Sequence, residues 1–190
     1  MNRISLFSFL LILIFTVSCG EQEADSKQLK KKDKDLTEAE FISLVEEQEM
    51  VIDSISPKFV RAEAEEMMKR YLRFTNHFPD HSKSPEFVFK AANIAIGLNN
   101  VDKSIDLLHK VVDVYPDYKK AKEALYLLGF VYDYHANKKD KAEEIYNLVI
   151  EHYPHTDFAN DAHERLKTLH MSDEDMIRMF EEKNKEQEPS

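Results

Sequence analysis

The sequence predicts an all-α fold: a solenoid of about three helical hairpins closed by a C-terminal capping helix. Three observations carry this. The 190 residues include only 3 Gly and 6 Pro, so few positions interrupt a helix. Apolar residues recur at helical spacing behind recognisable caps. The interruptions are themselves periodic: Phe78-Pro79, Tyr115-Pro116 and Tyr153-Pro154 stand 37 and 38 residues apart. Such a period marks stacked units, each burying against its neighbour the apolar face that it cannot bury alone.

The chain opens on Asn2-Arg3, a short basic start, and continues as an apolar run from Ile4 to Val17. A helix of this length reaches about 21 Å, short of a hydrocarbon core of about 30 Å. Residues 1–18 therefore read as an export signal rather than a membrane-spanning helix. Thr16-Val17-Ser18-Cys19-Gly20 resembles a bacterial lipobox, departing from it at Thr16, where Leu is usual. The resemblance implies removal of residues 1–18 and lipidation of Cys19, with palmitate-type acyl chains anchoring the protein. Gly20, in place of Asp, implies by the same resemblance release from the inner membrane, hence an outer-membrane location in either leaflet. The acids Glu21, Glu23 and Asp25 resemble surface-export signals of Bacteroidota lipoproteins. Residues 19–35 alternate Lys27, Lys30, Lys31, Lys32 and Lys34 with acids, without apolar periodicity, and read as a solvated tether. Cys19 is the single cysteine, which excludes an intrachain disulfide and a Cys-based metal site.

Residues 36–171 hold the repeat domain. Thr37-x-x-Glu40 is a capping box, followed by Phe41, Leu44, Val45 and Ile52 at helical spacing. Ser56-Pro57 starts a second helix, to about Thr75, with Met67, Met68, Tyr71, Leu72 and Phe74 apolar. Ser84-Pro85 starts a third, to about Leu98, and Asn99-Asn100 makes a turn. Asp102 is the expected cap of a helix over 103–114. A helix over 118–135 follows, then a turn at Asn137-Lys138-Lys139 and a helix to His152 with Asp140 as its expected cap. Residues 157–170 form the next helix. Ser172 caps the last, at about 173–185, within a C-terminal segment 172–190 that closes the array and ends in a tail.

Aligned on the breaks, the units resemble tetratricopeptide repeats. The best match is Leu125, Leu128-Gly129, Tyr132, Ala142, Tyr146, Val149 and Pro154, with one extra residue placed in the 136–140 turn. The unit before it reads Val88, Ala91-Ala92, Ala95, Ser104, Leu108, Val111 and Pro116. The unit before that matches in its second half only, with Met67, Tyr71, Phe74 and Pro79. Small residues at 91, 92, 129 and 142 let paired helices approach closely, so Gly129→Leu should cost about 1–3 kcal/mol through overpacking. Tyr-Pro-Asp and Tyr-Pro-His between units also resemble the exported BamD-type outer-membrane assembly lipoproteins and the YbgF (CpoB)-type division coordinators. This chain is shorter than the BamD type.

The formal charge of −10 disfavours nucleic acid and adsorption to anionic lipid. There is no Gly-rich phosphate loop and no nucleophilic cysteine beyond Cys19, and the many acid pairs read as solvated helix faces. No catalytic residue, cofactor or small-molecule substrate is expected. His152, His155, His163 and His170 lack the spacing of a ligand set, so no metal is expected either. What remains is protein binding. Tyr126, Phe130 and Tyr134 form a stripe at i, i+4, i+8 beside the packing face of their helix, and Phe89, Asn93 and Ile96 occupy similar places one unit earlier. In tetratricopeptide arrays this face lines a concave groove for a partner segment. Alternatively, neighbouring helices cover the aromatics, the C-terminal one among them through Met176, Ile177, Met179 and Phe180. The sequence thus describes an envelope lipoprotein that is an interaction adaptor in outer-membrane protein assembly or transport, or else an accessory subunit of a larger complex with its groove self-occupied.

Overall fold

The computed structural model describes residues 36–55 and 60–187. The export signal, Cys19, the tether and the Ser56-Pro57 start lie outside the described residues, as does the side chain of Phe180. The helices are α1 (Glu38–Ile55), α2 (Arg61–His77), α3 (Ser84–Gly97), α4 (Val101–Val114), α5 (Ala121–Phe130), α6 (Lys139–His152), α7 (Asp157–Thr168) and α8 (Asp173–Gln187). A π-helical turn, Val131–His135, extends α5. Each helix from α1 to α7 packs against the next, giving the hairpins α1–α2, α3–α4 and α5–α6, with α7 laid on the last. This is the all-α hairpin solenoid that the periodic breaks predict. None of the described helices is long and apolar enough to cross a membrane.

Local chemistry sets the boundaries. The capping box forms at α1: Glu40 N donates to Thr37 Oγ1 at 3.3 Å, and Thr37 N to Glu40 Oε2 at 2.7 Å. Ser172 does the same for α8, accepting from Asp175 N at 3.1 Å. Thr156, which has no place among the caps expected from sequence, caps α7 by accepting from Ala159 N at 3.3 Å. Two expected caps are corrected. Asn100, not Asp102, caps α4, its Oδ1 accepting from Lys103 N at 3.3 Å. Lys138 precedes α6 without a side-chain cap, and Asp140 lies inside the first turn. The turns of the α3–α4 and α5–α6 hairpins each pass through an asparagine in the left-handed region, Asn99 at φ 57° and Asn137 at φ 50°, a conformation that Asn tolerates better than most residues.

The extra residue of the second complete unit lies elsewhere than expected. The turns 98–100 and 136–138 are equal in length. The additional residue sits in the first helix, where it is absorbed as the π turn: Ala136 N bonds Val131 O at 2.9 Å, one residue further back than an α-helix would reach. Helix α5 also starts at Ala121 rather than Tyr118, because 115–121 forms successive turns, with Tyr118 N on Tyr115 O and Ala121 N on Tyr118 O.

The core follows the repeat pattern. Phe74, Val88, Ala91, Ala92, Ala95, Leu108, Val111, Leu128, Ala142, Tyr146 and Val149 are all fully buried. Gly129 is where the pattern is most demanding. A Cβ there would stand 2.7 Å from Tyr146 Cε1 and 2.8 Å from Cδ1, so α5 and α6 meet only because residue 129 has no side chain. Polar ties reinforce the stack. Arg70 bridges α2 to α1 through Leu44 O at 2.5 Å and Glu47 at 2.9 Å, and the Tyr115 hydroxyl reaches back to Pro79 O at 3.0 Å. Helix α8 forms no extended interface with the other described helices, and its Ile177 is 59% exposed.

Candidate functional site

A groove of about 850 Å³ opens where α1, the start of α2, α3 and the 118–120 turn converge. Its apolar part comes from Ile52 and Ile55 of α1, Ala64 and Met67 of α2, and Phe89 and Ile94 of α3. These residues lie on the stripes that the helices turn toward one another.

A polar network forms one bank. The Tyr71 hydroxyl donates to Glu49 Oε1 at 2.6 Å, and Lys90 Nζ donates to the same oxygen at 2.9 Å. Lys90 also pairs with Glu86 at 3.1 Å and lies 5.6 Å from the Tyr71 ring centroid. Burial works against the Glu49 carboxylate, but the bonds from Tyr71 and Lys90 outweigh it and hold its pKa below the usual range. Burial likewise opposes the Lys90 ammonium, and the bonds to Glu49 and Glu86 outweigh it, raising its pKa. Burial, then the bond to Glu49, pushes the Tyr71 phenol far up, so it remains a donor. The bank thus holds two carboxylates, an ammonium and a phenol, locked by one another across three helices. On the opposite bank Lys120 Nζ sits 4.9 Å over the Phe89 ring and pairs with Glu123 at 3.3 Å.

Of the six residues that the sequence nominated, two line the groove, Ile96 lies outside it, and three run along α5 and its π turn. Phe89 and Asn93 line the groove. Phe89 is 4% exposed and forms its wall beneath Lys120, while Asn93 is exposed and its Nδ2 donates to Phe89 O at 3.0 Å. Ile96 is half-buried on α3 and is not part of the groove lining. Tyr126, Phe130 and Tyr134 run along α5 toward α7. Tyr126 packs 5.6 Å from Phe158 of α7 and 5.8 Å from Tyr146. Phe130 packs 4.8 Å from Tyr134 and 5.7 Å from His135. Tyr134 is 55% exposed. Phe158 of α7 is thus what lies against Tyr126.

Glu49, Glu86 and Lys90 escaped sequence reading. Glu49 and Lys90 are 41 residues apart, and nothing local marks an acid or a lysine on an amphipathic helix as different from its solvated neighbours. Tyr71 was legible only as a repeat position. It fills that position at 4% exposure while its hydroxyl serves the network.

No curated protein matches the chain. Residues 87–118 and 123–156 match the family model described as a tetratricopeptide repeat. Those spans cover most of α3–α4 and of α5–α6, each with the break that follows it. Over these residues the chain is similar to tetratricopeptide repeats, helical hairpins that are generally interaction modules rather than catalysts.

Proposed function

We propose that this chain is a tethered adaptor of the bacterial cell envelope, which captures a segment of a partner protein on the face formed by the first helices of its hairpins. The groove between α1 and α3 carries the reading. It combines an apolar floor with fixed polar banks, the composition that orients a bound segment as well as burying it. Tyr126, Phe130 and Tyr134 offer a second aromatic stretch, separate from the groove, along α5 and its π turn. The tether is Cys19, lipidated after loss of residues 1–18 and seated in the outer membrane. Likeness to BamD-type lipoproteins favours work in outer-membrane protein assembly or transport. Attachment suits a module that brings no chemistry of its own, because confinement near a partner raises its effective concentration.

The test is site-specific photo-crosslinking of the full chain in its native membranes. A crosslinker at Asn93, exposed in the groove, should trap one discrete partner, and one at Asn147, exposed on α6, should not. Adducts at Asn147 alone would favour an accessory subunit that docks through its second helices. Palmitate labelling that persists in Cys19→Ala would remove the lipid tether.

A further inference from the structure

Helix α8 carries an apolar face that its own array leaves uncovered. Met176, Ile177 and Met179 cluster within one turn, Ile177 is 59% exposed, and α8 forms no extended interface with the other described helices. The helix before it does not supply a cover. On α7, Ala159 and Ala162 are buried toward the array, while Asn160, Asp161, His163, Glu164 and Lys167 are exposed. The stack therefore ends on a polar side, which has no apolar stripe for α8 to pair with.

The α1–α3 groove has such a stripe. Its wall on α3 runs from Phe89 to Ile94, about 7.5 Å of helix, against about 4.5 Å from Met176 to Met179 on α8. The charges also match. At the groove edge Lys119 forms no ion pair among the described residues, and it adjoins Lys120, whose ammonium lies 4.9 Å from the Phe89 ring centroid. On α8, Asp175 is tied to Ser172 and Arg178, but Asp173 forms no ion pair among the described residues. Asp173 stands three and four residues before Met176 and Ile177, so it shares their face.

The same chain's groove is out of reach. Helix α7 rests on α6 and α5, so α3 lies two helix widths away, about 16–20 Å. The link to α8 is itself folded, with Met171 N on Thr168 O at 3.0 Å and Ser172 capping α8. We infer that α8 docks in the α1–α3 groove of a second copy of this chain, with Met176 and Ile177 on the apolar floor and Asp173 at Lys119. This rests on the reading above, in which the groove receives a protein segment, and it gives that segment a competitor. Capture of a partner and self-association then exclude one another. One helix face is smaller than a standard interface, so the pairing is weak and responds to local concentration.

The experiment places a photo-crosslinking residue at Ile177 of the full chain. Equal amounts of ¹⁵N-labelled and unlabelled chain are mixed in excess detergent micelles, and the crosslinked peptides are mapped by mass spectrometry. Adducts should join Ile177 of one copy to Ile52, Phe89 or Asn93 of the other, as mixed-isotope pairs. Asp173→Lys and Lys119→Glu should each lower their yield about threefold or more with unchanged helicity, and the double variant should restore it. Adducts confined to one copy, adducts joining α8 to α8, or a double variant no better than the singles would each overturn the inference. Asn93 adducts with a different protein in native membranes would leave the adaptor reading standing in any of those cases.

Discussion

Two glycines on the same kind of helix should respond oppositely to one added methyl group. In Gly129→Ala the new Cβ would stand 2.7 and 2.8 Å from two ring carbons of Tyr146. Carbon atoms pack at about 3.5–4.0 Å, so ring or helix must move by roughly 1 Å. The ring has nowhere to go, since Tyr146 is 0% exposed and Tyr126 stands against it at 5.8 Å. Overpacking of this kind costs about 1–3 kcal/mol. Replacing a helical glycine by alanine returns about 0.5–1 kcal/mol. The net is a loss centred on about 1 kcal/mol and reaching about 2.5 kcal/mol, or a Tm lower by a few degrees for a domain of this size. At Gly97, by contrast, an added Cβ meets nothing within 4 Å, so only the helix term remains. Gly97→Ala should gain up to about 1 kcal/mol. Urea unfolding followed by circular dichroism reads both. A cycle isolates the cause: in a Tyr146→Leu background, Gly129→Ala should become neutral or stabilising. If Gly129→Ala is as stable as wild type, or if its loss persists in the Tyr146→Leu background, the close approach of α5 and α6 is not what requires the glycine.

Three further outcomes follow from the same packing. Among the described residues the Tyr146 hydroxyl has no hydrogen-bond partner, so Tyr146→Phe should leave stability unchanged or raise it by about 1 kcal/mol in thermal unfolding; a loss of that size would show that the hydroxyl is bonded. Glu49 has a folded-state pKa below its unfolded value of 4.5, so its contribution is full above that value and is lost as pH falls through the lower one. Glu49→Gln should therefore destabilise at pH 7 and flatten the acid limb of a stability–pH curve, and an unchanged limb would contradict the network. Asp133 has the opposite sign: burial raises its pKa above 3.8, so ionising it opposes folding as pH rises through the folded value. Asp133→Asn should raise the midpoint at pH 7, and the gain should fade as the pH drops below 4.

Much of the fold could be read in advance because it depends on pattern. The Tyr-Pro and Phe-Pro breaks fixed where hairpins end. The small residues 91, 92, 129 and 142 fixed which helices approach closely, and all four are buried at helix contacts. Caps were less legible, since Asn100 and Asp102 are equally good candidates on paper and only the backbone path chooses Asn100. The extra residue was counted correctly but misplaced, because a π turn has no distinct signature in composition.

Sequence by itself determined the helical repeats, their period, their packing positions and the expectation of a tether at Cys19. Those features are carried by spacing along the chain, and spacing is what a sequence records. Tertiary structure alone decided that Phe89 and Asn93 line one groove with Glu49, Tyr71 and Lys90, while Tyr126 and Tyr134 face Phe158 and Arg165 elsewhere. Within the groove network, Glu49 meets Tyr71 across 22 residues of chain and Lys90 across 41. Such meetings depend on how each helix packs on the next, which spacing along one helix does not record.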